Sequence, residues 1–145
     1  MYAAVLVPLD DSPSAREALR VAAELVDPDT GRLILLNVQE PVIADDVLGH
    51  ASGAPPADAE ARAQEAGAAV LRRALQETGL PAERTEQVVH AGRRPAEVVV
   101  ETAGELGVDA IVMGSSGASD IASLTLGSVS HRVLHTARCR VILVR

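Results

Sequence analysis

Three glycines and two serines in the carboxyl-terminal third of the chain are spaced as an anion-binding loop would require. Gly114, Ser115 and Gly117 follow a short apolar run, and Gly127 and Ser128 come after nine intervening residues. Glycine there permits positive φ angles and lets main-chain N–H groups approach a ligand without a Cβ in the way. Where a helix begins, its unpaired N–H groups and positive dipole end favour a phosphate. The pattern indicates a phosphate-binding loop, although a glycine-rich connection in which Ser128 caps its own helix would look the same.

Other residues capable of chemistry lack the partners that a catalytic or metal site needs. His131 and His135 stand four residues apart, a spacing that suits two metal ligands, but no third ligand is identifiable and an exposed helix face is favoured. Ser128, His131 and Asp120 have the residue types of a hydrolytic triad, yet the sequence has no G-x-S-x-G motif. It also lacks the glycine-rich loops of dinucleotide-binding domains and P-loop NTPases. We therefore predict no catalytic residue and no metal ligand.

The elements that must position the glycine-rich loop alternate between strands and helices. Apolar runs predict buried strands at Ala3–Leu9, Arg32–Gln39, Thr85–His90, Asp109–Met113 and Val141–Val144, the third of them at a sheet edge. Apolar residues at helical spacing predict helices from Pro13, from Asp58 to Thr78, from Pro95, and from Ser128 to Ala137. This order predicts one α/β domain over residues 1–145, with a parallel sheet covered on both faces. Ligands bind such sheets where the strand order reverses, which predicts a crevice bordered by Pro8–Asp10 and Met113–Gly114.

Composition limits the classes of partner. The 145 residues carry a net charge of -7 and one aromatic side chain, Tyr2, so a nucleic acid would meet repulsion and no stacking surface for its bases. A single cysteine, Cys139, excludes an intramolecular disulfide. No run approaches the ~20 apolar residues of a membrane helix, and the opening residues lack the basic segment of a signal peptide. We expect a cytoplasmic protein that binds neither nucleic acid nor membrane.

Three sequence blocks resemble one known family. The spacing G-x2-G-x9-G-S, carried by Gly114, Gly117, Gly127 and Ser128, is similar to the nucleotide loop of the universal stress protein family. The resemblance extends over nearly the whole chain, through VLVPLDDSPSAREAL, GRRPAEVVVETAGELGVDAIVMGSSG and LGSVSHRVLHTARCRVILVR. It implies a three-layer, Rossmann-like α/β fold with a five-stranded parallel sheet in the order 3-2-1-4-5. It also implies a homodimer that binds ATP, or AMP or ADP.

In ATP-binding members of that family, several positions hold the nucleotide and can be matched here one at a time. The resemblance implies that Asp10 meets the adenosine end and that Pro8 lines the same wall, although Asp10 also suits a turn that precedes a helix. It implies that the main chain of Val38 borders the adenine and that Met113 packs near the base or sugar, whereas both side chains also suit a core. The residues implied to wrap the phosphates are Gly114, Ser115, Gly117, Gly127 and Ser128.

The chain departs from the family pattern where relatives commonly carry a cation. Ser116 stands between the first two glycines, and residues 118–126 contain Asp120 and no basic residue. An anion near a phosphate weakens its binding, and a bound Mg²⁺ could compensate. We expect an adenine-nucleotide-binding protein of stress response or signalling with little or no hydrolysis. The alternative is a nucleotide-free dimeric interaction module of the same fold.

The last predicted strand offers a surface for self-association. Val141–Val144 is short and apolar, so its edge is exposed unless a strand or a helix covers it. Antiparallel pairing of two copies would satisfy the main-chain groups of this edge. The resemblance implies a homodimer through this strand, although Arg140 stands where relatives often have proline.

Overall fold

The computed structural model describes residues 1–39, 58–92, 94–116 and 126–145. The strands within these ranges are β1 (Ala4–Pro8), β2 (Arg32–Gln39), β3 (Thr85–Ala91), β4 (Ala110–Gly114) and β5 (Arg140–Val144). The helices are α1 (Pro13–Leu25), α2 (Ala59–Thr78), α3 (Pro95–Glu105) and α4 (Ser128–Thr136), with a 3₁₀ turn at Ala82–Arg84 before β3. The predicted strands and helices are all present, and their ends lie within one residue of the predicted ends.

The sheet is parallel and has the order β3-β2-β1-β4-β5, which confirms the predicted topology and the edge position of β3. β1 lies at its centre, where Val5 is opposite Leu33 of β2 on one side and Ala110 of β4 on the other. The chain moves outward from β1 through β2 to β3 and then crosses back to β4. The strand order therefore reverses between β1 and β4, and a crevice is expected there at the carboxyl ends of the strands.

Alternation along the strands builds two apolar layers, one on each face of the sheet. Val5 and Val7 of β1 face α1 and α2, whereas Leu6 faces α3 and α4. The core consists of aliphatic residues, and the fully buried positions are dominated by leucine, isoleucine and valine. Because neither face of the central strands reaches solvent, the apolar runs that encode them are continuous.

Local signals fix the helix ends. The Ser12 hydroxyl accepts a hydrogen bond from the Ala15 N–H at 3.1 Å, which caps α1 before Pro13 as predicted. Gly79 ends α2 in the left-handed conformation with φ 65°, a conformation that glycine adopts without strain. α4 is capped by Gly127 rather than by a side chain. This last arrangement places the first turn of α4 directly after the glycine-rich segment.

The amino end of the sheet is secured away from the predicted crevice. The Asp109 carboxylate accepts hydrogen bonds from the N–H groups of Ala3 and Ala4, both at 2.9 Å. Tyr2 forms a parallel bridge with Val26, and the Arg140 guanidinium lies 5.8 Å from the centre of the Tyr2 ring. The single aromatic side chain is thus at the end of the sheet opposite the carboxyl ends of the strands. Among the described residues, no helix is both long and apolar enough to cross a membrane.

Candidate nucleotide-binding site

A cavity of about 530 Å³ opens at the carboxyl ends of β1, β2 and β4 and at the start of α4. This volume lies in the range of roughly 300–1,000 Å³ that small-molecule sites occupy. The structure brings most of the predicted site residues to its walls: Pro8, Asp10, Val38, Met113, Gly114, Gly127 and Ser128. Residues far apart in the sequence therefore meet at the strand-order reversal.

Of the two remaining predicted site residues, Ser115 is not among the residues that line this cavity. Gly117 lies outside the described residues. Ser115 is described, but its main-chain N–H donates to the Val144 carbonyl at 2.7 Å, and its carbonyl accepts from the Gly127 N–H at 2.8 Å. The prediction that the turn after β4 presents its amides to an anion is therefore wrong for Ser115 and Gly127. These amides are engaged because the turn continues the pairing of β4 with β5 and closes onto the start of α4.

At the two described glycines of this segment, Gly114 and Gly127, the predicted positive φ angles are also absent. Gly114 continues the extended strand β4, and Gly127 has φ -60° and ψ 150°. Gly114 is instead required by close packing, because a Cβ there would lie 2.5 Å from Ser14 Oγ and 2.9 Å from Ser14 Cβ. The same serine donates to the Ser116 carbonyl at 2.6 Å. Gly114 thus allows the first turn of α1 to sit against the loop that follows β4.

The start of α4 provides the main-chain donors of the cavity. The helix has nine residues, and its first intrahelical bond runs from His131 N–H to the Gly127 carbonyl at 2.8 Å. In an α-helix the N–H groups before that bond have no partner within the helix, and they carry the positive end of the helix dipole. These groups belong to Ser128, Val129 and Ser130, whose residues all line the cavity. Because Gly127 is the cap, the interpretation of Ser128 as the cap of its own helix is wrong.

Buried Ser130 connects the first turn of α4 to the end of β4. Its side chain is 3% exposed and donates to the Gly114 carbonyl at 2.8 Å. The first turn of α4 is thereby tied to the end of β4. Ser128, two residues earlier in the same turn, is exposed and lines the cavity. A phosphate at the start of α4 would meet the Ser128 hydroxyl and the main-chain N–H groups of the first helical turn.

Asp10 both lines the cavity and forms the turn that precedes α1. Its side chain is exposed on the cavity wall, and its Oδ1 accepts from the Ser12 N–H at 3.1 Å. An acceptor two residues before the donor is the pattern of an Asx turn, so Asp10 also shapes the approach to α1. The next residue, Asp11, has φ 64° and forms an ion pair of 2.5 Å with Arg73 of α2. The β1–α1 loop is therefore attached to α2 beside the cavity.

The charges of the described cavity wall are negative. Asp10 and Asp11 are the charged side chains in it, and none of its described residues is Lys or Arg. Residues 118–125, for which the shortage of cations was predicted, lie outside the described residues. A phosphate here relies on main-chain dipoles, a hydroxyl and any metal ion that it brings.

Sequence reasoning missed Asn37. This residue is 2% exposed, lines the cavity, and donates from Nδ2 to the Leu9 carbonyl at 2.7 Å. Its Oδ1 accepts from Gln39 Nε2 at 2.6 Å. A polar residue inside the apolar run RLILLNVQ was the available signal, because a buried amide needs hydrogen-bond partners.

The remaining candidates do not assemble a second site in the described structure. The rings of His131 and His135 lie 4.5 Å apart on the exposed side of α4, and the described residues contain no group of three or more potential metal ligands. Burial raises the pKa of the Cys139 thiol, and the nearby Asp109 carboxylate raises it further. A raised pKa lowers the thiolate fraction, so this cysteine is a poor nucleophile.

These features define a doubly wound α/β domain with a small-molecule cavity at its strand-order reversal. A sequence model of the universal stress protein family matches residues 1–145. The chain is 35% identical, over 147 residues that cover 100% of both chains, to the universal stress protein in QAH/OAS sulfhydrylase 3'region of Thermus aquaticus. The chain therefore belongs to the universal stress protein family.

Solved structures agree with this assignment. The fold matches that of hypothetical protein MJ0577 with a TM-score of 0.80 at 25% identity, over 99% of this chain and 96% of the other. It also matches a universal stress protein in complex with cAMP, with a TM-score of 0.67 at 26% identity, over 99% of this chain and 97% of the other. A relative with this fold therefore binds an adenine nucleotide.

Proposed function

We propose that the protein is an adenine-nucleotide-binding homodimer of stress response or signalling in the cytoplasm, where its lone thiol stays reduced. The observation that carries the proposal is the convergence of seven predicted contact residues on one cavity. Its size suits a nucleotide, and the relative in complex with cAMP supports the ligand class. The bound nucleotide acts as a signal, and its turnover is not the purpose of the site.

The cavity suits a nucleotide lying from the end of β2 to the start of α4. Val38 and Asp10 occupy the wall formed by β2 and β1, where the adenosine would lie. Ser128 stands at the other end, where the dipole of α4 attracts the phosphates. Met113, 4% exposed in the sheet between them, provides an apolar floor for the base or sugar. With no aromatic residue at the cavity, aliphatic contacts replace stacking.

The negative wall makes the affinity dependent on metal. A unit charge about 4 Å from another contributes roughly 1 kcal/mol in water and more where water is excluded. Each 1.4 kcal/mol corresponds to about tenfold in the dissociation constant. Mg²⁺ that arrives with ATP would neutralise part of the phosphate charge and so reduce its repulsion from the negative wall. We therefore expect ATP to bind more tightly with Mg²⁺ than without it.

Titration calorimetry with ATP and AMP, with and without Mg²⁺, tests nucleotide binding. Ser128→Ala removes the hydroxyl expected at the phosphates and should weaken ATP binding by about tenfold or more, since one charge-assisted hydrogen bond contributes roughly 1.5–3 kcal/mol. Thr136→Ala is the matched control, because it removes a hydroxyl at the far end of the same helix, where Thr136 bonds only to the Arg132 carbonyl among the described residues. Absence of binding at millimolar nucleotide would remove the proposal.

The proposed lack of turnover has its own test. The titratable side chains of the described cavity wall are two aspartates, both exposed, and this wall lacks a nucleophile paired with a base. We expect phosphate release from Mg-ATP to stay near the uncatalysed rate. Steady turnover that Asp10→Asn or Ser128→Ala abolishes would make the protein an enzyme instead.

The homodimer is proposed to form through β5. This strand pairs with β4 on one side, and four of its five residues are only half-buried. The Arg140 N–H donates to the Asp109 main-chain carbonyl, and the Val144 carbonyl accepts from the Ser115 N–H. The main-chain groups of the even-numbered residues of β5 therefore face β4. The main-chain groups of Val141 and Leu143 consequently face outward, where a second copy could pair with them.

Two proline variants separate this interface from the fold. Leu143→Pro removes an outward N–H, which an edge strand tolerates, so we expect a folded monomer by light scattering. Ile142→Pro removes an N–H that faces β4, so it should destabilise the domain itself. A Leu143→Pro protein that stays dimeric would show that the copies associate elsewhere.

A nucleotide-free dimeric interaction module is the second candidate. The engaged amides of Ser115 and Gly127 favour it, as does the absence of a basic residue in the sequence of residues 118–126. Acid treatment of freshly purified protein, followed by chromatography of the released small molecules, distinguishes the two. Stoichiometric adenine nucleotide would exclude the nucleotide-free module.

A further inference from the structure

The hydrogen-bond ladder between β1 and β2 ends in an irregular step. Arg32 N–H donates to the Ala3 carbonyl at 2.9 Å, and the Leu36 carbonyl accepts from Leu9 N–H at 2.8 Å. In a parallel ladder the main-chain groups of every second residue face the same neighbour, so even-numbered residues of β2 face β1. Val38 is the next residue of this series. Regular continuation would have its N–H donate to the Leu9 carbonyl.

That bond is replaced by a side chain. The Leu9 carbonyl accepts from Asn37 Nδ2 at 2.7 Å, and Val38 N–H makes no hydrogen bond to it. Gln39 Nε2 donates to Asn37 Oδ1 at 2.6 Å, which fixes the orientation of the Asn37 amide. The Asn37 side chain is thus held at both of its polar atoms.

Gly67 of α2 packs against the Asn37 side chain so closely that no larger residue fits at position 67. Asn37 is 2% exposed, and a Cβ on Gly67 of α2 would lie 2.7 Å from Asn37 Oδ1. The buried amide therefore cannot rotate away from the Leu9 carbonyl without losing its partners, a loss that costs more than the bond itself contributes. Val38, directly beside it, lines the cavity.

We propose that Asn37 is a positioning residue that holds the edge of β2 open for a ligand. By supplying the donor for the Leu9 carbonyl, it leaves the N–H and C=O of Val38 directed past the end of β1 into the cavity. These groups form a donor and an acceptor on one strand edge. Because these groups belong to the main chain, their position does not depend on the valine side chain.

Amide hydrogen exchange in the ligand-free protein tests the positioning role without any nucleotide. In the wild-type protein, we expect a protection factor for Val38 N–H at least about tenfold lower than that of Leu36 N–H, which lies in the regular ladder. In Asn37→Leu the Leu9 carbonyl loses its side-chain donor, and Val38 N–H should take its place. The protection of Val38 should then rise at least about tenfold.

Gln87→Leu is the matched control, because it replaces an exposed amide on edge strand β3 by the same side chain. It should leave the protection of Val38 unchanged. Equal protection of Val38 and Leu36 in the wild-type protein would overturn the proposal, and this measurement needs no variant to fold. Unchanged Val38 exchange in a folded Asn37→Leu protein would also overturn it.

Discussion

Gly114→Ala is the substitution whose effect can be worked out most directly from the structure. The added Cβ would lie 2.5 Å from Ser14 Oγ, 2.9 Å from Ser14 Cβ and 3.0 Å from the Ser14 main-chain carbon. A change of Ser14 rotamer could move only the first of these atoms. The other two belong to the first turn of α1, so relief requires the helix to shift away from β4.

The expected cost combines three contributions. Inserting a methyl group into a well-packed site costs roughly 1–3 kcal/mol. A shift of α1 also weakens the hydrogen bond of 2.6 Å from Ser14 Oγ to the Ser116 carbonyl, at about 1 kcal/mol. Alanine restricts the unfolded chain and returns roughly 0.4–1 kcal/mol. We therefore expect Gly114→Ala to lower the free energy of unfolding by roughly 1–3.5 kcal/mol.

Urea denaturation measures this change, and Gly104→Ala is its control. Gly104 is exposed in α3, and a Cβ there would meet nothing within 4 Å. Alanine is the better helix former, so Gly104→Ala should raise stability by up to about 1 kcal/mol. The two variants make the same chemical change and should move the denaturation midpoint in opposite directions. A Gly114→Ala protein within about 0.5 kcal/mol of wild type would refute the close-packing argument.

Two further predictions concern the loop between α1 and β2. Hydrogen bonds from the N–H and hydroxyl of Thr30 and from the Asp29 N–H hold the pKa of Asp27 below its ordinary value of 3.8. The ionised Asp27 carboxylate therefore stabilises the fold above about pH 4, and this stabilisation is lost as the pH falls through the lowered pKa. Between about pH 5 and pH 3, the midpoint of thermal denaturation should fall more steeply for wild type than for Asp27→Asn. Arg84 donates to the carbonyls of Gly31 at 2.8 Å, Asp27 at 2.5 Å and Pro28. A lysine at position 84 cannot bond to all three carbonyls, so Arg84→Lys should lower the free energy of unfolding by about 1–2 kcal/mol in urea denaturation. Arg72→Lys is the control, because Arg72 lies in an exposed ion pair and its replacement should have little effect. Equal effects of the two lysine variants would contradict this reasoning.

The strands and helices could be predicted because each had a local cause in the sequence. The runs that form β1 and β4 are apolar at every position, which is typical of strands buried on both faces. Caps such as Ser12 and Gly79 mark helix ends within a few residues. The order 3-2-1-4-5 itself came from the family resemblance rather than from these local signals.

The position of the site was predictable, but its hydrogen bonding was not. Parallel strands bring their carboxyl ends together, so Pro8 and Met113 were expected to meet. Whether an amide is available to a ligand depends on carbonyls distant in sequence, such as that of Val144 for Ser115 N–H. The same holds for Asn37, whose partner Leu9 is 28 residues away. Such hydrogen-bond pairings between distant residues cannot be predicted from side-chain types and their spacing.

The position of Tyr2, at the sheet end opposite the cavity, has a consequence for how the protein is observed. With no tryptophan and one tyrosine, the polypeptide absorbs very little near-ultraviolet light. A purine held at the other end would dominate the absorbance spectrum of the purified sample, even at partial occupancy. Tyr2 emission, in contrast, should stay constant on ligand addition, so an optical titration must follow the ligand and not the protein.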